Sequence, residues 1–198
     1  MVTTGYSLPY VAKYANVDTT VTYSEGMALA RGVSLSIEVE AADDNMFYAD
    51  NVVAETESGR FTSGSATVTV DGLDNDAATL IFGLPDPESV QVNETPVEMQ
   101  GYGEAMNPPY VGFGCVRQTM HKGKTQYWPI ILPKIKFAVP SEEMTTRGES
   151  IEWQTQELSA VVERDDTAAK NWKRVSATGF DTEAEAFAVV TTILGPKA

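Results

Sequence analysis

The chain has 198 residues with 28 acidic against 14 basic side chains, a formal net charge of −14, and is 42% hydrophobic and 21% charged. That balance suits one folded domain over residues 1–198 that needs no disulfide or metal staple, and it excludes disorder throughout. The acidity repels nucleic-acid phosphates and anionic membranes at long range. The longest uncharged apolar stretch near either end, 186–194, is far short of a membrane span, and Pro9 and Lys13 break the opening residues where a secretory leader would be apolar.

Taken in chain order, Met1–Tyr6 reads as an N-terminal arm and Leu8–Tyr14 as the first strand. Val33, Leu35, Ile37 and Val39 then alternate with Ser34, Ser36, Glu38 and Glu40, the period of a half-buried strand. Met46–Tyr48 is a short strand, and Ala66, Val68 and Val70 alternate with Ser65, Thr67 and Thr69. Asp74 is placed to cap a short helix through Asp76, Ala77, Ala78, Leu80 and Ile81, with Gly83 stopping it. After a strand at Val90–Val92, residues 93–109 hold three prolines, two glycines and little periodicity, which predicts a long loop, the principal arm of the chain. Strands are predicted at Tyr110–Met120, Gln126–Ile131 and Lys134–Val139. Another sets Ile151 and Trp153 opposite Glu152, Gln154 and Gln156, and Ala160–Glu163 follows. Thr182 and Glu185 have capping-box spacing, and Ala184, Phe187, Ala188, Thr191 and Leu194 share a helical face before Gly195 and Pro196. Many strands and two short helices predict a mainly β sandwich with helices packed on its side.

Chemistry is sparse. Cys115 and His121 are each the sole residue of their kind, so no disulfide and no conventional zinc site is expected. Cys115 lies in the apolar run Gly112-Phe113-Gly114-Cys115-Val116, the setting of an inert buried thiol. No Gly-x-Ser-x-Gly elbow is present. Gly123-Lys124-Thr125 ends like a phosphate loop, but Gln118 stands where that loop needs glycine, and Gly101-Tyr102-Gly103 meets Met106 where a third glycine belongs. The acid clusters Asp43-Asp44, Asp71 with Asp74 and Asp76, Glu142-Glu143 and Asp165-Asp166 lack calcium-loop spacing. An enzyme, a metal and a cofactor are therefore not expected. Tyr127, Trp128, Trp153 and Trp172 could in principle stack on a sugar, but scattered over the chain they read more simply as core or interface residues.

Charge is segregated. Residues 1–100 hold 16 acids and 3 bases, whereas 101–198 hold 12 acids and 11 bases. Gly32–Gly59 carries seven acids and no base, and Ala105–Ser141 carries five bases and no acid. Two solvated faces would explain this. The alternative is a self-complementary protein in which Asp43, Asp44 and Asp50 of one copy meet Lys122, Lys124, Lys134 and Lys136 of another.

Six segments then stand in a recognisable order: Phe47-Tyr48-Ala49-Asp50-Asn51 with Glu55; Asp71-Gly72-Leu73 running into the helix that stops at Gly83-Leu84; Pro109-Tyr110-Val111-Gly112-Phe113-Gly114; Leu132-Pro133-Lys134-Ile135-Lys136-Phe137; 146–155 (TRGESIEWQT); and Gly179-Phe180-Asp181-Thr182-Glu183-Ala184-Glu185-Ala186. Over residues 5–190 the chain resembles the major tail (tail tube) proteins of long-tailed bacteriophages. Some of that family continue into an immunoglobulin-like decoration domain, which is not expected here. The resemblance implies a structural virion protein, made in the bacterial cytoplasm, whose copies form hexameric rings. Those rings stack into the tube through which the genome leaves. The implied fold is a tail-tube β-sandwich with a flanking helix, its inner strands contributing to a shared ring barrel. Implied partners are further copies, the tape measure, the tail terminator and the baseplate, with DNA passing through without specific binding and no membrane involved.

A lumen wall needs strands with one buried and one wet face. The polar faces that qualify are Ser34, Ser36, Glu38 and Glu40; Ser65, Thr67 and Thr69; and Glu152, Gln154 and Gln156. The competing reading of the whole is a monomeric β-sandwich binding module for a sugar or an adhesion ligand.

Overall fold

A computed structural model describes residues 1–146 and 153–195 of the chain. Its strands are β1 (Val2–Val17), β2 (Thr20–Ala28), β3 (Gly32–Ala41), β4 (Asn45–Ala49), β5 (Val52–Glu57), β6 (Phe61–Val70), β7 (Glu88–Val92), β8 (Thr95–Met99), β9 (Val111–His121), β10 (Lys124–Phe137), β11 (Gln156–Glu163) and β12 (Arg174–Val175). The helices are α1 (Asn75–Phe82) and α2 (Glu183–Leu194). The mainly β expectation holds. Among the described residues, no helix is long and apolar enough to cross a membrane.

One antiparallel sheet runs β2-β1-β9-β10-β11-β6-β3, with β12 added beside β10. Strand β10 is where the sheet bends. Its first part pairs with β9 and its last four residues with β11. The register shifts between Leu132 and Ile135, which accommodates Pro133, a residue with no N–H to give a ladder. The expected strands Gln126–Ile131 and Lys134–Val139 are therefore one bulged strand. The bend folds the β3-β6-β11 wing over the β1-β9-β10 wing. Between them lies the main core: Val11, Ala66, Val68, Val70, Phe113, Cys115, Leu132, Ile135, Phe137, Leu158 and Val162, closed by Ala77, Leu80, Ile81 and Phe82 of α1.

Helix α1 matches its expected bounds, with Gly83 in the left-handed region at φ 58° as the stop, while Asp74 holds the N-cap position without a side-chain cap bond. Helix α2 has one half of the capping box, and the Glu185 carboxylate meets the Thr182 hydroxyl rather than its backbone N–H. Thr182 Oγ1 accepts from the Glu185 backbone N–H at 3.3 Å and donates to the Glu185 carboxylate at 2.8 Å. Its buried face is different from the one expected. Ala186, Val190 and Leu194 face inward, while Ala184 and Ala188 are exposed and Phe187 and Thr191 are half-buried. The cause is the bed that receives it. Gly112 and Gly114 leave hollows in β9 where a Cβ would displace its neighbours; the Tyr23 ring and Leu194 fill the first, and Val190 and Leu194 the second. Tyr10, Ala12 and Ile131 complete this second core.

Three further expectations change. Residues 2–6 are not an arm but the first part of β1, paired with β9 from Val2↔Met120 to Tyr6↔Arg117. The segment 93–109 is not wholly a loop. Asn93 and Glu94, at φ 47° and 67°, make a tight two-residue turn, and β7 and β8 pair across it with Pro96 opposite Gln91. Among the described residues of the strand expected from Ile151, strand structure begins at Gln156. Trp153 is 89% exposed, 153–155 is irregular, and Ile151 and Glu152 lie outside the described residues.

Candidate assembly surface

The polar faces assigned to separate strands come together on one wing. Register places Ser34 beside Thr69, Ser36 beside Thr67, Glu38 beside Ser65 and Glu40 beside Ser63. On the other side of β6, Thr69 and Thr67 sit beside Glu157 and Ser159 of β11. Partners in register share a face, so hydroxyls and carboxylates form continuous rows across three strands. Ser34 Oγ donates to Thr69 Oγ1 at 2.9 Å and Ser63 Oγ to the Glu40 carboxylate at 2.9 Å.

Gln156 is not on that face. It pairs with Val70, whose side chain is in the core, and Glu157 takes the outward place. A one-residue slip exchanges the faces of a strand, and the unpaired 153–155 segment breaks the alternation read from Trp153. Gln154 lies in that segment and bonds to Thr145, and Glu152 falls outside the described residues.

The same face continues onto β10, where Lys136 pairs with Val161 and Lys134 with Glu163. Two residues expected at a separate basic surface thus border the polar rows. Lys134 is not available to another copy. Its side chain is only 13% exposed, and its ammonium pairs with Asp166 at 3.1 Å and Glu163 at 3.5 Å. It also lies 4.5 Å from the centre of the Tyr110 ring. Tyr14 donates to Asp166 at 2.8 Å and Tyr110 to Glu163 at 3.0 Å. Burial would lower the Lys134 pKa, but the bond to Asp166 and the charges of Asp166 and Glu163 outweigh it and raise the pKa. Burial, with Asp166 nearby, pushes the Tyr14 hydroxyl up to about 12. Lys124 makes an exposed pair with Asp181 at 3.0 Å. Lys122 stands at the β9–β10 turn with φ 50°, leaving Lys122 and Lys136 without an ion pair among the described residues.

Two hairpins stand apart from the main sheet. Strands β4 and β5 pair only with each other, as do β7 and β8. The first turns at Asp50-Asn51, both with positive φ, and presents Met46, Phe47, Tyr48, Val52 and Val53 to solvent, Phe47 at 63% exposure. The second exposes Val90, Val92, Val97 and Met99. Asp43, Asp44 and Asp50 are exposed on the first hairpin and its approach, and Asp44 accepts from the Gly59 N–H at 2.8 Å.

The tryptophans do not build a platform. Trp128 Nε1 donates to buried Thr119 at 2.9 Å, and Trp172 stacks on Phe61 at 5.3 Å between ring centres. Cys115 is fully buried, and burial pushes its thiol up to about 12. Sequence reading missed the Phe61–Trp172 pair altogether, because more than a hundred positions separate partners that carry no shared local pattern. The chain matches no family model, and it matches no curated protein.

Proposed function

We propose that this protein is a tail tube subunit, whose copies close into rings and stack into the conduit for a phage genome. The observation that carries the reading is the pair of hairpins that bond to no strand but their own and expose large apolar side chains. A lone two-stranded hairpin is marginal in water, and clustered exposed apolar groups mark an interaction site. Covering by a neighbouring copy meets both needs. Edge strands β2 and β3 leave backbone groups that ring closure would pair. The wet face of β3, β6 and β11 beyond its Glu40–Ser63 end is the candidate lumen wall, since Glu38 and Glu157 among hydroxyls offer phosphate no anchor. The virion tail is the corresponding location. The test is negative-stain electron microscopy of the purified chain over a concentration series. Rings or tubes of uniform diameter are expected, and particles that stay monomeric at every concentration overturn the reading.

A further inference from the structure

We infer that the β4–β5 hairpin of one copy docks into the groove at the root of the same hairpin on the next copy. This rests on the self-assembly reading and names the surfaces that meet.

The groove is an open depression of about 790 Å³ whose walls include Ala42, Arg60, Phe61, Arg164 and Lys170. Beside it, the Phe61 and Trp172 rings stack nearly parallel, 6° apart, with the Arg164 guanidinium 5.6 Å from the Phe61 centre. The Lys173 ammonium lies 5.8 Å from the Trp172 centre, so each ring of the stack has a cation near it. The groove's own acids are engaged. Asp165 Oδ1 accepts from Thr167 Oγ1 at 2.7 Å and from the Asn171 N–H at 2.9 Å. Asp166 and Glu163 hold Lys134. Arg164, Lys170 and Lys173 make no ion pair among the described residues. What the lining leaves without an ion pair among the described residues is two cations, Arg164 and Lys170, close to the Phe61 ring, which suit an acidic aromatic segment.

The hairpin has that chemistry. From Asp43 to Glu57 it carries five carboxylates and no base. Phe47 pairs with Glu55, and Asn45 with Glu57, two positions along the ladder, so a ring and two carboxylates share one face. Asp50 sits at the tip, and it and Glu55 make no ion pair among the described residues. The hairpin cannot fill its own groove. It leaves from the groove's rim at Ala42 and returns at Arg60, and strands of five or six residues carry the tip about 17–20 Å away. Tip and groove are different patches of one chain. Their contact is therefore head-to-tail and repeats from copy to copy until a ring closes or a filament grows.

The test compares three variants by sedimentation and electron microscopy, with circular dichroism to follow folding. Arg164→Glu with Lys170→Glu reverses the groove, and Asp50→Lys with Glu55→Lys reverses the hairpin. Each pair is expected to raise the concentration needed for assembly by about tenfold or more, because like charges then face each other. The chain carrying all four changes is expected to assemble near the wild-type concentration. Disulfide trapping needs no charge reversal: Asp50→Cys chains mixed with Lys170→Cys chains should cross-link within assemblies, with Cys115 silent in the core. Variants that assemble like wild type, a four-change chain no better than either pair, or assemblies without the cross-link each overturn the docking while leaving self-assembly standing. A wild-type chain that never assembles overturns both.

Discussion

Strands β9 and β3 belong to one sheet and occupy opposite surroundings. From Val111 to Val116, β9 is buried on both faces, with the main core on one side and α2 on the other. Its sequence there is a continuous run of apolar residues and glycines, as a strand covered twice should be. Strand β3 alternates, buries only part of one face, and ends the sheet with an open edge beside an exposed hairpin. The first region needs nothing outside the chain, whereas the second presents apolar and backbone groups that a single copy leaves uncovered.

Substitutions of one residue type in the two regions should separate folding from assembly. Phe113 is fully buried in β9, so Phe113→Ala should cost about 3–5 kcal/mol in chemical denaturation. Gly114→Val drives a side chain into Val190 and Leu194 and should cost about 1–3 kcal/mol, with α2 losing its amide protection first. Phe47→Ala should move stability by no more than about 0.5 kcal/mol, since that ring is exposed, yet it should weaken assembly measured by light scattering.

The cluster that ties Tyr14 and Lys134 to Asp166 sharpens the same contrast through pH. The Tyr14 hydrogen bond and, against some burial, the Lys134 ammonium hold the Asp166 carboxyl below the usual aspartate range. A depressed folded-state pKa supplies stability that is complete above the ordinary aspartate value of about 3.9 and is lost as pH falls through the depressed value. Thermal unfolding below about pH 4 should show that loss, and Asp166→Asn should remove its share of the slope. Because Asp166 also lines the groove at the root of the β4–β5 hairpin, its protonation is expected to alter assembly there as well as folding.

The closed region was the more legible of the two. Alternation marked β6, the apolar run marked β9, and Asp74, Gly83, Thr182 and Glu185 marked the helix ends, because each of these signals is local; in the open region β3 was also legible, since Leu35 and Ile37 still pack on the main core. The open region was read less well for a physical reason. Strands β5 and β8 have no buried face to impose a period, and Pro96 together with the turn at Asn93-Glu94 concealed a hairpin inside what reads as a loop. The face of α2 depended on hollows at Gly112 and Gly114, whose position opposite the helix is a tertiary fact. Lys134 looked like a surface cation until the β10–β11 register set it against Glu163 and the 165–166 turn set Asp166 beside it. Gln156 was misplaced by one residue, which in a strand is enough to change its face.

Amide hydrogen exchange of the chain at low and high concentration tests most directly whether the open region is completed by other copies. On assembly, protection is predicted to rise at 45–57, at 88–99 and along β3, while β9 stays as slow as in the monomer. Assemblies in which both hairpins exchange as fast as in the dilute chain would contradict the claim that these surfaces form the contacts.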